Sequence, residues 1–371
     1  MRKIPLIKPY ITGAVKDKVC EVLDSGYLTE GPITKELENA FISYIGCQYA
    51  LAVTSCTTGL EMGIRALKIG PGDEVIVPDY TYPATAHVVA IAGADTVIVD
   101  IDPETMLIDY AAMEEAITSR TKAIIPVSLF GNPLDYNILN IIKKKYNIAI
   151  IEDAACSIGA EYDDKKVGNI SDISVFSMHP RKFITTGEGG MICCNDPNLA
   201  EWMLSYKHFG MGVEADRLSA SFERMGTNYK LSNILAAVGL VQMEQIEYLL
   251  SRRKELAANY IKLLEGHPGL RIPGITPKGT HSYQSFCIFI NQRDRRMQLL
   301  REQGIEVQIG TYSLHMHRAF NENPNCRLIG DMAGSKYAFE HCLALPLYHE
   351  MSFDDQLYVV ENLLQVIKET E

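Results

Sequence analysis

The sequence predicts an α/β fold: a large domain built on a mostly parallel sheet, followed by a small C-terminal α+β domain. Three observations predict it. Short apolar runs without polar alternation recur through the first half, separated by helical patterns, as expected of strands covered on both faces. The chain has 371 residues, more than one small core organises. A Gly- and Pro-rich stretch, residues 266–279, divides a long helical pattern from a shorter strand–helix–strand series. Residues 1–265 are therefore expected to form the large domain and residues 266–371 the small one.

Lys8-Pro9-Tyr10 leads into a helical pattern through Val15, Val19, Val22 and Leu23, which stops at Gly26. A turn-rich loop through Leu28 to Pro32 precedes a second amphipathic helix, Thr34 to Ile45, ending at Gly46. Apolar runs then read as strands at 49–54, 74–77, 96–99, 123–127, 149–152 and 173–176, with a further strand at Met191-Ile192. Helical patterns at 59–67, 84–92, 110–117 and 136–146 lie between most of them. Residues 233–264 read as one long helical pattern. The C-terminal part offers strands at 284–290 and 306–309, a helix at 293–303 and a closing helix at 353–368. There is no internal repeat and no low-complexity segment.

Lys plus Arg is 35 against 46 Asp plus Glu, a net charge of −11. An acidic chain argues against general nucleic-acid binding, which needs a positive field. No apolar stretch reaches the length of a membrane span, and the first ten residues lack the apolar core of a signal peptide. A cytoplasmic protein without membrane contact is expected. The nine cysteines include no CxxC pair, so zinc spacing is missing and no metal site is expected. Buried thiols in a reducing compartment account for most of them.

Four segments carry chemical signal. Ser177 to Gly190 follows an apolar run and holds Lys182 in a polar, Gly-rich loop. A lysine there can lose solvation, drop its pKa and attack an aldehyde. Taken alone, the segment reads more simply as a surface lysine in a turn. Ile148 to Cys156 delivers Glu152 and Asp153 at the C-terminal end of a buried strand, the sheet edge where ligands bind in open α/β folds. One carboxylate could hold a protonated pyridine nitrogen, and either could equally cap a helix. Thr54 to Leu60 places hydroxyls and free N–H groups at a helix start, suited to a phosphate or to plain capping. Val77 to Thr85 brings Tyr80 and Tyr82 to a strand end, where a ring can stack on a flat cofactor or simply be half-buried. Their order, phosphate cap, aromatic, strand-end Asp, then Lys after the next strand, describes one site at one sheet edge.

With these segments in order the sequence resembles the DegT/DnrJ/EryC1/StrS sugar aminotransferases, within the aspartate-aminotransferase fold (fold type I of the pyridoxal-phosphate enzymes). The resemblance runs from Lys8-Pro9 and Gly26 to Pro32, through Ala66 to Pro78, Glu152-Asp153-Ala154-Ala155 and Ile184 to Gly190, to the final helix. It implies pyridoxal 5′-phosphate (PLP), alternating with its amine form (PMP), as cofactor. It implies Lys182 as the Schiff-base lysine and proton shuttle, Asp153 as partner of the pyridinium nitrogen, and Tyr82 as the stacking aromatic. Ser177, Thr57 and Thr58 match phosphate ligands. Asn228 matches an asparagine that reaches the cofactor of a neighbouring subunit, which implies a homodimer with shared active sites. Glu188, Gln308 and His315 are placed toward the substrate by position, or else make polar contacts between domains.

The sequence also departs from the pattern. Cys156 stands where a Gln usually contacts the cofactor's ring oxygen, Cys56 replaces a Gly of the phosphate loop, and Lys230 replaces an Arg. Pro180-Arg181 before the lysine is uncommon, and Arg181 adds positive charge at the site or at the surface. Dehydratases of the group carry His in place of the lysine, so Lys182 favours transamination. The expected reaction moves the amino group of L-glutamate to a keto sugar on a nucleotide diphosphate, in cell-surface glycan or related sugar biosynthesis. Alternatives are a small non-nucleotide ketone (a cyclitol or triose phosphate), a PMP-dependent sugar dehydratase, and a silent protein on the same fold.

Overall fold

A computed structural model describes residues 2–212 and 221–370. In chain order its main strands are β1 (Tyr49–Val53), β2 (Glu74–Pro78), β3 (Asp95–Val99), β4 (Thr121–Ile124), β5 (Ala149–Asp153), β6 (Ile173–Ser177), β7 (Gly190–Cys194), β8 (Leu270–Arg271), β9 (Phe286–Ile290), β10 (Gln308–Ile309), β11 (Cys326–Ile329) and β12 (Cys342–Leu345). The helices that matter are α1 (Gly13–Ser25), α2 (Pro32–Ile45), α3 (Cys56–Ala66), α4 (Ala84–Ala92), α5 (Tyr136–Tyr146), α6 (Pro197–Lys207), α7 (Asn233–Met243), α8 (Ile246–Leu264), α9 (Arg293–Glu302), α10 (Ala333–His341) and α11 (Phe353–Thr370).

The large sheet runs β1-β7-β6-β5-β4-β2-β3-β11. Strand β7 is antiparallel to both its neighbours and the remaining pairs are parallel. Successive residues of one strand enter opposite cores. Ile76, Ile124 and Ile150 pack on one face, Val75, Ala123 and Ile151 on the other. That double burial is why these strands read as unbroken apolar runs. Helices α1 and α2 stop where expected, at Gly26 and Gly46, both in the left-handed region that a Cβ disfavours.

The small sheet, β8-β9-β12-β10, is antiparallel and is packed with α8, α9 and α11. Its core joins Phe286, Ile288 and Leu343 to Leu256 and Tyr260 of α8 and to Ile4 near the start of the chain. In the other direction, β11, which lies between strands of the small sheet in chain order, pairs with β3 at the edge of the large one. Chain order alone thus does not sort the two layers. The long helical pattern of residues 233–264 is two helices bent by 62°. α7 packs on α1 and α2 of the large layer, and α8 turns away to pack on α11. Among the described residues no single helix is long and apolar enough to cross a membrane. Helix α6 had a legible start: Asp196 caps it through the N–H groups of Asn198 and Leu199, with Pro197 in the first turn.

Candidate active site

The strand period separates the two adjacent carboxylates of β5. Glu152 points into the core, fully buried, and accepts hydrogen bonds from the hydroxyls of Ser128, Tyr136 (2.6 Å), Ser171 (3.1 Å) and Ser174 (3.0 Å). Asp153 points to the C-terminal edge of the sheet, 5 % exposed. Its Oδ2 accepts from Thr85 Oγ1 at 2.8 Å and its Oδ1 from the N–H of Ala155 at 3.2 Å. Burial raises its carboxyl above the usual aspartate range, against the pull of these donors and of Lys182. Among the described residues no cation stands within salt-bridge distance of it. Glu152 is therefore structural, and Asp153 is a buried acid that a cationic ligand would complete.

Lys182 lies in the loop between β6 and β7, closed at its base where Met178 N–H donates to Gly189 O and Thr186 N–H to Met178 O. Its Nζ donates to Cys156 Sγ at 3.0 Å. The expected drop in its pKa is not what this arrangement produces. Burial does push the ammonium down, but Cys156, then Asp153 and Cys56, push it up and prevail. Burial, reinforced by Asp153, holds Cys56 well above the usual thiol range, so Cys56 stays protonated. The amine reaches the site as a cation beside an acid.

Ser55 caps α3, accepting from Thr58 N–H, while Thr58 Oγ1 accepts from Ser55 N–H and donates to Ser55 O at 2.8 Å. That reciprocal cap occupies the Thr58 hydroxyl, and Thr58 does not line the cavity as expected of a phosphate ligand. Thr57 and Ser55 do line it. The start of α3 sits against the backbone of Gly190. A Cβ there would lie 2.5 Å from Ser55 C and 2.6 Å from Cys56 N, so only glycine lets the two backbones meet.

These groups converge on one cavity of about 670 Å³ that also takes in Tyr82, Cys156, Ser177, Glu188 and Gln308. Tyr82 is 65 % exposed and tilted against Tyr312. Arg181, read from sequence as either site or surface, lines the mouth while exposed, and its Nη1 donates to Gln308 Oε1 at 3.3 Å. Besides Thr58, two more expected residues lie outside the cavity. His315 is drawn away by the buried Asp79, whose Oδ1 accepts from its N–H at 2.7 Å and whose Oδ2 contacts its Nδ1 at 2.6 Å. Asn228 binds Lys230 Nζ at 2.7 Å and does not line the cavity of its own chain.

Sequence reasoning missed Thr85, which orients Asp153, and Gln284, whose buried amide lines the cavity. Thr85 stood three residues beyond Tyr82 in a segment already singled out. Gln284 carried no local signal.

The donor set fits pyridoxal phosphate. Asp153 offers an uncompensated buried carboxylate for a protonated ring nitrogen. Thr57, Ser177 and the start of α3 offer donors for a phosphate. Lys182 offers an amine for the aldehyde, and Tyr82 a ring face.

Comparison with known proteins agrees. The model of the DegT/DnrJ/EryC1/StrS aminotransferase family matches residues 9–364. The uncharacterized protein MJ1066 of Methanocaldococcus jannaschii is 34 % identical, over 99 % of this chain and 98 % of its own length. The candidate sugar aminotransferase Spr1654 of Streptococcus pneumoniae, solved in PMP and PLP forms, superposes in its PMP form with a TM-score of 0.92 at 29 % identity, covering 100 % of both chains. The GDP-4-keto-6-deoxy-D-mannose-3-dehydratase of E. coli, with bound hydrated PLP, reaches 0.92 at 26 % identity, covering 98 % of this chain and 100 % of its own.

Proposed function

The chain belongs to the DegT/DnrJ/EryC1/StrS aminotransferase family, and from that premise we propose that it moves the amino group of L-glutamate to a keto sugar carried on a nucleoside diphosphate. It is a PLP-dependent aminotransferase with a keto-sugar class of acceptor. The single observation that carries transamination is Lys182, whose Nζ lies in the cavity with Asp153 and Cys156. A dehydratase shares the fold, and the lysine at this position argues against that chemistry. The neighbouring dehydratase is named for a GDP-linked keto sugar, which supports a nucleotide-linked acceptor here. The open mouth with Arg181 suits an anionic substrate.

When bound, PLP supplies the electron sink that makes a proton on the substrate carbon removable. Lys182 Nζ, once it has given up its own proton, would take that proton on one side and return it on the other. Asp153, fixed by Ala155 and Thr85, would hold the ring nitrogen positive. Ser55, Thr57 and Ser177, which line the cavity, would hold the phosphate, and Tyr82 would cover a ring face. Cys156 stands beside Lys182 and would meet the ring oxygen. Asn228 serves the partner's cavity in a homodimer, which accounts for its absence from its own. Glu188 and Gln308 line the sugar end, in a pathway that builds cell-surface or related glycans.

The test is amino transfer from labelled glutamate across a panel of nucleotide-linked keto sugars, free cyclitol ketones and triose phosphates. Label in a nucleotide-linked amino sugar is expected. Label only in a free ketone overturns the nucleotide linkage, and release of ammonia with loss of sugar hydroxyl overturns transamination.

A further inference from the structure

A buried arginine with no carboxylate partner among the described residues stands behind the Lys182 loop. Arg253, on α8, is 1 % exposed, and burial pulls its guanidinium down to about 9, leaving it a cation at neutral pH. Its Nη1 donates to the carbonyls of Tyr283 (3.2 Å) and Gln284 (2.7 Å), and its Nε has no hydrogen-bond partner among the described residues. The guanidinium lies 5.2 Å from the centre of the Phe183 ring. A buried charge without a counter-ion is costly, and an apolar side chain would fill the same space with less penalty. What the arginine alone supplies is simultaneous hold on two carbonyls and a ring.

Both held groups flank Lys182. Phe183 follows it directly. Gln284, whose carbonyl Arg253 grips, donates from its side-chain Nε2 to the carbonyl of Arg181 at 2.7 Å. One guanidinium therefore fixes the chain on either side of the lysine. His349 lies edge-on to the Phe183 ring, 5.3 Å between centres. Burial, with Arg253 and Arg252, pushes His349 down to about 3, so it is neutral and leaves the charge at this contact to arginine. The contact also ties α8 of the small layer to a loop of the large one.

We propose that Arg253 is a positioning residue for Lys182, holding the Arg181 carbonyl through Gln284 and the Phe183 ring directly so that Nζ is presented beside Cys156 and Asp153. The proposal rests on the reading of Lys182 as the reacting lysine. It is tested on the cofactor-free protein by the visible band that pyridoxal phosphate acquires on reacting with a lysine amine. The saturating rate reports how Lys182 is presented. The half-saturating concentration reports the grip on phosphate and ring.

Arg253→Met and Gln284→Leu are expected to lower the saturating rate about tenfold or more, as small misplacements of a reacting group do, with half-saturation within about threefold of wild type. Gln284→Leu removes the link to Arg181 while leaving Arg253 in place, and decides the matter if Arg253→Met fails to fold. A saturating rate within about twofold of wild type in Gln284→Leu, or a shift confined to half-saturation, overturns the proposal. A band that survives Lys182→Ala overturns the reading of Lys182 itself. Loss of that band together with normal Gln284→Leu kinetics overturns only the positioning role.

Discussion

Glu152→Leu and Asp153→Asn change adjacent residues and are expected to damage different properties. Leucine matches the bulk of Glu152 but accepts no hydrogen bond. It would leave the hydroxyls of Ser128, Ser174 and Tyr136, all buried, without their acceptor. Each orphaned buried hydroxyl costs about 1–3 kcal/mol, so three set a range of about 3–9 kcal/mol. Two effects hold the loss toward the low end: the hydroxyls can re-pair, and a buried carboxyl already raised by desolvation is removed. We expect a loss of about 4 kcal/mol, from a total that for folded domains is about 5–15 kcal/mol. With a urea dependence of about 3 kcal/mol per molar, the midpoint falls by about 1 M or more. Fluorescence of Trp202, the only tryptophan, stacked on Tyr206 in α6, reads the transition. Asp153→Asn should leave that midpoint near wild type and slow bleaching of the visible band by an amino donor. A contact charge pair at effective dielectric 20 is worth about 4 kcal/mol, so the rate should fall about 10²–10³-fold. The reasoning is refuted if Glu152→Leu keeps its midpoint, or if Asp153→Asn loses as much stability as Glu152→Leu.

Burial raises the Asp153 carboxyl in the folded cofactor-free chain, so the folded state keeps that proton to higher pH than the unfolded state and loses stability as pH climbs through the raised value. The melting temperature of wild type minus that of Asp153→Asn should therefore fall as pH rises above about 4, the ordinary aspartate value, and a flat or rising difference contradicts the assignment. Thr58→Val breaks the reciprocal cap of α3 and should cost about 1 kcal/mol in urea unfolding with little change in pyridoxal phosphate half-saturation. Thr57→Val should show the reverse, weaker binding at wild-type stability. Gly190→Ala drives a Cβ into the backbone of Ser55 and Cys56, and a titration should show binding weakened about tenfold or more as the start of α3 shifts.

Much of the large sheet and its covering helices was legible because its signals are local. An unbroken apolar run such as residues 149–152 needs only its own residues to report burial on both faces. A left-handed stop such as Gly26 or Gly46 needs only its own backbone. The order of cap, aromatic, acid and lysine followed from the same elements, since consecutive parallel strands deliver their C-terminal ends to one edge.

What the sequence by itself determined was the α/β class, most element positions and the chemistry-bearing segments, because periodicity and capping act over a few residues. Read from the residues alone either acid fits the strand end, and the resemblance names Asp153; the tertiary structure adds the physical reason, turning Glu152 into the core and Asp153 to the cavity, since the alternation has no outside reference until the strand is paired. The tertiary structure also sent Cys326–Ile329 to the edge of the large sheet and broke residues 233–264 between two layers. It gave His315 to Asp79, held Lys182 protonated among Cys156, Asp153 and Cys56, and placed Arg253 behind Phe183. Each of these depends on residues far apart in the chain meeting at low dielectric, where an ion's partner and a strand's neighbour are set by packing and not by spacing.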